Sequence, residues 1–329
     1  MDDSPQESGR DGGLPRVAVV MPVRDMDPVL VCRAVASVHG QTYPGPIELV
    51  LWDDGSTTYD YRFADQWMDG RESAGERMVL PRRWESSRGI AAARNAGADA
   101  TSARWLLWLD GDDELPAEAV GRLVGATTGH DDVEFVIGQC DVAHPRGGAG
   151  KGYGMPRRHW NLPYLETWRT AYGTSEDPLA RTVFPMHGGL VSRRLFEASG
   201  RFDPEFTHTP LVDWFLRMLL RVVEDDRQFV VLNEATYLHH KRLGSHSSDR
   251  RVVHAQRREA LRRYALRAGV PGPVFEMLVT DPHTGARSYG VQVRAGAARF
   301  PWFPADAERP GGPAEPDDAG VAATEVVSP

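Results

Sequence analysis

Residues 104–113 read Arg104-Trp105-Leu106-Leu107-Trp108-Leu109-Asp110-Gly111-Asp112-Asp113. A short apolar run bounded by polar residues has the pattern of a strand buried in a parallel sheet. This one stops abruptly in three carboxylates around a glycine. In open α/β sheets the C-terminal ends of the strands are where ligands sit, and carboxylates gathered there repel one another unless a cation neutralises them. A hard divalent ion, Mg²⁺ or Mn²⁺, prefers oxygen ligands and keeps positions open for phosphate oxygens. The stretch therefore points to a metal-bridged diphosphate. Its plain alternative is a solvated turn or a helix start ahead of Pro116.

Working outward, the 329 residues suffice for one large domain or two smaller ones with a sizeable core. An apolar content of 41% and a charged content of 26% are those of a soluble globular protein. The formal net charge of -8 argues against nucleic acid as a partner. No apolar run is long enough to span a bilayer, and the acidic start of the chain lacks a signal-peptide pattern, so a cytoplasmic protein without an integral membrane segment is expected. Cys32 and Cys140 have no metal-ligand spacing and read as reduced, buried small residues.

Upstream, residues 1–14 are too polar to supply a packed core and read as disordered. Val17-Ala18-Val19-Val20-Met21 is a strand. Asp27-Pro28 is a helix start, with an N-cap acid before proline at the first helical position, and Val31, Ala34, Val35 and Val38 form the inner face. The intervening Pro22-Val23-Arg24-Asp25-Met26 has none of the glycines of a dinucleotide-binding loop. Ile47 to Trp52 is a second strand, again ending in paired carboxylates at Asp53-Asp54-Gly55-Ser56. A helix from Tyr59 to Met68, a strand Met78-Val79-Leu80 and an alanine-rich helix from Arg88 to Ala100 then lead into the central strand.

These stations together resemble the inverting family 2 glycosyltransferases of GT-A fold: Pro22-Val23, Asp53-Asp54-Gly55-Ser56, Arg88-Gly89 with Ala93-Arg94-Asn95-Ala96-Gly97, and Asp110-Gly111-Asp112-Asp113 with Pro116. The order and spacing of four separate motifs carry the resemblance, over roughly residues 16–245. It implies an α/β fold with a Rossmann-like, mostly parallel sheet flanked by helices, and a nucleotide-sugar donor bound with a divalent cation, Mn²⁺ or Mg²⁺. By the same resemblance Val23, Arg24 and Asp54 contact the nucleoside, Arg88 contacts the donor, and Asp110 and Asp112 hold the diphosphate and metal. Asp53 and Arg94 read equally as structural supports.

Downstream, a short helix from Glu118 to Val124, a strand from Phe135 to Val142, a loop at 145–154 and an aromatic stretch from His159 to Trp168 follow. His187-Gly188-Gly189 before Arg193-Arg194 resembles the family's acceptor-side loop, and Asp213, read as opening an amphipathic helix, stands where the family carries its general base. The glutamate that precedes that base in the family is Val212 here. Two strands, Phe229 to Leu232 and Ala235 to Leu238, run into His239-His240. Adjacent residues on a strand point to opposite faces, so one histidine at most joins the metal, and His240 is the preferred one. A basic helix from Asp249 to Ala268, apolar pieces forming an appendage up to 304, and a disordered tail at 305–329 complete the reading; the principal domain is 15–248.

The implied reaction moves a sugar from a nucleoside diphosphate to an acceptor hydroxyl with inversion, the cation stabilising the leaving diphosphate. The acceptor stays open among glycan, lipid-linked and small-molecule hydroxyls, as does peripheral membrane association. Two other readings compete. A haloacid dehalogenase-like phosphatase also opens with a strand running into Asp-x-Asp, but that motif normally follows the first core strand, and here three strands precede it. A non-catalytic nucleotide-sugar or carbohydrate-binding module on the same fold draws support from Val212.

Overall fold

Every residue of β1 (Val17–Val23) is buried. Val17, Val19 and Met21 enter one core, while Ala18 and Val20 enter the core on the opposite face. Two-sided burial is why the strand is apolar throughout instead of alternating. In the computed structural model the chain is described over residues 13–61, 77–143, 157–159, 187–225 and 228–242, parts of a helical segment within 251–267, and strands at 276–280 and 288–294.

The remaining strands are β2 (Ile47–Asp53), β3 (Arg77–Arg83), β4 (Trp105–Trp108), β5 (Val133–Ala143), β6 (Arg157–His159), β7 (Leu190–Ser192), β8 (Gln228–His240), β9 (Glu276–Thr280) and β10 (Ser288–Arg294). The sheet order is β3-β2-β1-β4-β7-β5-β8-β10-β9, with β6 beside β5. The first four run parallel, β7 is antiparallel to both its neighbours, and β5 and β8 are again parallel. Thus β1, β2, β3 and β4 present their C-terminal ends together, where ligands bind in such sheets.

Helix α1 (Pro28–His39) begins as its sequence requires: Asp27 accepts the Val29 amide at 2.9 Å, and Pro28 opens the helix. It packs with α3 (Ala119–Gly125) in one core. On the other face lie α2 (Ile90–Asp99), α4 (Arg193–Ala198) and α5 (Pro210–Glu224). The alanines of α2 let it approach closely. A Cβ added at Gly97 would lie 2.3 Å from Val20 Cγ1. Gly97→Ala is accordingly expected to destabilise the fold by about 1–3 kcal/mol through overpacking, and Val20→Ala in the same chain to recover part of that loss in chemical denaturation. Full recovery by Val20→Ala is not expected, because it removes buried methyls of its own.

Four elements differ from the sequence reading. The two strands expected at 229–238 are one, because β8 pairs with β5 through register shifts that carry it past residues 233–234. Helix α5 begins three residues before Asp213, at Pro210, which its fixed φ suits to a first helical position. The apolar pieces beyond 274 continue the sheet, β10 pairing antiparallel with the edge of β8 that β5 leaves open. The expected helix from Tyr59 has not begun by Tyr61. Its continuation to 68, the N-terminal stretch to residue 12, the loop at 145–154, the aromatic run from 160 and the tail lie outside the described residues. Cys32 and Cys140 are free thiols. No helix among the described residues is long and apolar enough to cross a membrane.

Candidate functional site

The acidic turn after β4 is stitched to the end of β8. Glu114 and Leu238 exchange both backbone hydrogen bonds, at 3.0 and 2.9 Å. Asp113, fully buried, receives the Tyr237 hydroxyl at 2.8 Å on Oδ2 and the His240 amide at 2.8 Å on Oδ1, with His239 Nδ1 3.1 Å from Oδ2. Tyr237 also accepts the Asp110 backbone amide at 3.1 Å, so one hydroxyl ties the Asp113 carboxylate to the main chain at Asp110. From α1, Arg33 donates to the Asp112 carbonyl at 2.7 Å, and from the loop behind it Gln41 accepts the Val120 amide at 3.0 Å. The turn is therefore built into the interior and is not a solvated loop.

Asp110 holds Arg94 Nη2 at 2.7 Å on Oδ1 and faces His187 Nδ1 at 3.6 Å with Oδ2. Burial opposes ionisation of Asp110, but the Arg94 guanidinium and the facing imidazole outweigh it and hold its carboxyl below the usual range. His187 stacks on Tyr237 at 5.2 Å and on His239 at 5.5 Å. That stacking needs Gly188, whose φ is +75° and whose Cβ would meet the Tyr237 ring at 2.7 Å. Burial, partly offset by Asp110, lowers the His187 pKa and favours the neutral imidazole that a metal requires. Asp110, Asp113 and His187 present ligand atoms within 4.8 Å of one another. Two carboxylates and an imidazole suit a divalent cation that keeps other positions for phosphate oxygens.

Asp112 stands apart from that group. Its Oδ2 accepts Arg242 Nε at 2.5 Å, and burial followed by the charges of Asp113 and Asp110 pushes its carboxyl up to about 6. The two histidines divide as strand parity requires. The His239 ring lies with Tyr237 on the side of Asp113, whereas the His240 ring turns to Glu114, its Nε2 2.7 Å from Oε1. The structure thus brings His239 and His187 to the carboxylates and leaves the preferred His240 beside Glu114. Asp113, Tyr237 and His239 were missed as a set, although the i, i+2 spacing of Tyr237 and His239 on a strand is a signal that they share a face.

At the end of β1, Val23 is buried against the acidic turn, where Gly111 lies close to its side chain, and Arg24 is exposed. Asp25, at φ +43°, accepts the Thr57 and Thr58 amides at 2.8 and 2.6 Å and so ties the β1 loop to the β2 loop. Asp54, 4% exposed, accepts the Arg88 and Gly89 amides at 2.7 and 3.0 Å and the Ser87 hydroxyl at 2.7 Å. Its carboxylate therefore shapes the turn that opens α2. Arg88 itself is exposed over the Trp84 ring at 4.7 Å, and Trp84 meets Trp52 edge-on at 5.0 Å. Asp53 pairs with Arg83 at 3.1 Å and accepts the Ser56 amide at 2.8 Å, a supporting role.

Asp213 is 2% exposed, and its Oδ2 takes both Arg217 Nε at 2.9 Å and Nη2 at 2.6 Å. Arg217 in turn holds the carbonyls of Ser199 and Arg201. The acid expected as general base is thus committed to an interior ion pair that braces the turn after α4, out of reach of solvent. Sequence could not show this, because a helical Asp four residues before an Arg is commonly a surface pair.

The sequence profile described as Glycosyl transferase family 2 matches residues 18–198, more than half of the chain. The chain belongs to glycosyl transferase family 2. This family 2 chain is 30% identical over 125 residues to a PGL/p-HBAD biosynthesis glycosyltransferase of Mycobacterium bovis, the match covering 38% of the chain and 46% of that relative. It is 25% identical over 238 residues to the uncharacterised protein y4gI of Sinorhizobium fredii, covering 72% of the chain and 24% of that relative. The chain therefore spans about half, or less, of the length of these relatives. Among solved structures it resembles S. aureus TarS residues 1–349 with UDP-GlcNAc, with a TM-score of 0.53 at 17% identity over 77% of this chain and 66% of TarS. The UDP complex of TarS gives 0.51 at 15% identity, over 77% and 65%. The likeness shows a GT-A fold. The family match contains the acidic turn and Gly188, while α5, His239 and Arg242 lie beyond its end at residue 198.

Proposed function

We propose that the protein transfers a sugar from a nucleoside-diphosphate donor to an acceptor hydroxyl, with a divalent cation held by Asp110, Asp113 and His187. The observation that carries this reading is the convergence of those three side chains at the strand ends of a family 2 fold. When bound, the cation offsets the charge that develops on the leaving diphosphate. Arg94 holds Asp110 in place through Oδ1, and Tyr237 ties the Asp113 carboxylate to the main chain at Asp110. Asp112, the metal residue implied by resemblance, joins only on release of Arg242. Asp54 positions the Arg88 turn, and Val23, Arg24 and Arg88 border the nucleoside. The acceptor hydroxyl attacks the anomeric carbon opposite the departing diphosphate, the new C–O bond forming as the sugar–phosphate bond breaks and the hydroxyl proton passing to solvent, which inverts the anomeric centre. Asp213 acts through Arg217 as a positioning residue.

A panel of UDP-, GDP- and dTDP-sugars with Mn²⁺ or Mg²⁺ tests this by nucleoside diphosphate release and by the anomeric configuration of the product. UDP-sugars come first, since the structural neighbours were solved with UDP and UDP-GlcNAc. Metal-dependent release is expected. Binding without release, even with mixed acceptors, would favour a binding module, the reading that the buried Asp213 supports. Tyr237→Phe removes the hydroxyl that links the Asp110 backbone amide to the Asp113 carboxylate and is expected to raise the metal concentration for half-maximal rate about 10–100-fold. An unchanged metal titration would remove Tyr237 from the site's architecture.

A further inference from the structure

Three carboxylates of the acidic turn are held by groups that also hold the fold. Asp113 receives the Tyr237 hydroxyl and the His240 amide, Asp110 pairs with the buried Arg94, and Glu114 lies 2.7 Å from His240 Nε2 and 2.9 Å from Arg33 Nε. Asp112 is the exception. Its main chain is fixed, since Arg33 donates to its carbonyl at 2.7 Å, but its carboxylate has a single hydrogen-bond partner among the described residues, Arg242.

This arginine differs from those that serve the architecture. The Arg94 side chain is 3% exposed, and Arg217 grips Asp213 through both Nε and Nη2. The Arg242 side chain is 32% exposed and meets Asp112 through Nε. It stands two residues past the end of β8 and one past Lys241, whose amide donates to the Ala143 carbonyl at 3.0 Å. Arg242 can therefore return to water without stranding a buried charge, which Arg94 and Arg217 cannot. Asp112, mostly buried beside Asp110 and Asp113, needs a cation to stay ionised there. A guanidinium on Oδ2 meets that need, and for the same reason it opposes a second cation at the same carboxylate.

We infer that Arg242 is an internal cation that occupies Asp112 in the donor-free protein, an autoinhibitory contact that keeps Asp112 out of the metal's ligand set until Arg242 leaves. With Arg242 in place a divalent ion has Asp110, Asp113 and His187 to bind; with Arg242 gone it gains a third carboxylate. The inference rests on the cation site of the proposed function. It adds that the affinity of that site is set by a residue beyond the family match, which ends at residue 198.

The test is calorimetric titration with Mn²⁺, without nucleotide and at one pH, of the wild type, Arg242→Gln, Asp112→Asn and the double variant, each first shown to be folded by its melting temperature in chelator. Asp112→Asn is expected to leave the Mn²⁺ Kd unchanged. Arg242→Gln is expected to tighten it about 10–100-fold, the scale on which a group that holds a ligand side chain alters metal affinity. The double variant is expected to return to the wild-type Kd, because the gain is carried by the freed Asp112 carboxylate. An unchanged or weaker Kd for Arg242→Gln overturns the inference. So does a gain that persists in the double variant, since it then comes from the loss of a nearby positive charge and not from the release of Asp112. Should Arg242→Gln not fold, Arg242→Met carries the same expectations. If neither the wild type nor any variant binds Mn²⁺, the cation site of the proposed function falls and the inference with it, whereas a wild type that binds Mn²⁺ as tightly as Arg242→Gln removes the contact's inhibitory role alone.

Discussion

Asp213→Ala is expected to destabilise the protein by about 3–5 kcal/mol, because it leaves Arg217 charged and unpaired in the interior. The Asp213 and Arg217 side chains are only 3% and 11% exposed. The guanidinium also ties down the carbonyls of Ser199 and Arg201, so the turn after α4 should loosen with it. Replacing both partners, Asp213→Leu with Arg217→Met, removes the unpaired charge and should restore much of the stability, since apolar substitutes for buried ion pairs are often neutral. Denaturant midpoints of the three variants decide the matter. The competing role predicts a different pattern: if Asp213 is the base, Asp213→Asn keeps the fold and lowers kcat roughly 10²–10⁴-fold, with loss of the limb of the pH–rate profile that reports the base. That result would reassign Asp213 from positioning to catalysis.

Asp110→Asn is expected to lower nucleoside diphosphate release by about 10³-fold, the scale of losing a principal electrostatic stabiliser of the leaving group. Asparagine is the informative substitution, because it keeps an acceptor for Arg94, which is 2% exposed and would otherwise be stranded. A second readout does not depend on turnover. A cation that binds only the folded state stabilises it, by about 2.7 kcal/mol at a concentration 100 times its Kd, so Mn²⁺ should raise the melting temperature of the wild type and fail to do so for Asp110→Asn. The control is Asp112→Asn. Retention of the Mn²⁺ response there is expected if Asp110, Asp113 and His187 hold the ion. Its loss in Asp112→Asn, with retention in Asp110→Asn, would return the ion to Asp112 and require Arg242 to move.

Much of the part of the candidate site built from the ends of β1 and β2 and the start of α2 was legible in the chain because its motifs are local. Strand, loop and helix are contiguous at Pro22-Val23, Asp53-Asp54 and Arg88-Gly89, and each carries its own punctuation. The part around Asp113 and Asp213 is assembled from pieces far apart in sequence, and there residue type was a poorer guide. Asp54 looked like a ligand and is used to shape a turn. Asp213 looked like a base and is paired with an arginine one helical turn away.

What the sequence by itself determined is the alternation of buried apolar strands with helices and the acidic turn that ends the central one. Continuous apolar runs bury on both faces of a parallel sheet wherever they occur, and a proline or a capping acid acts within a few residues. What only the tertiary structure decided is which carboxylates face one another. Asp113 meets Tyr237 and His239 because β8 ends beside the acidic turn, 124 residues away in the chain for Tyr237. Arg242 captures Asp112 across a comparable separation of 130. Such contacts depend on sheet order and strand register, and a shift of one residue in β8 would exchange His239 for His240 at the site.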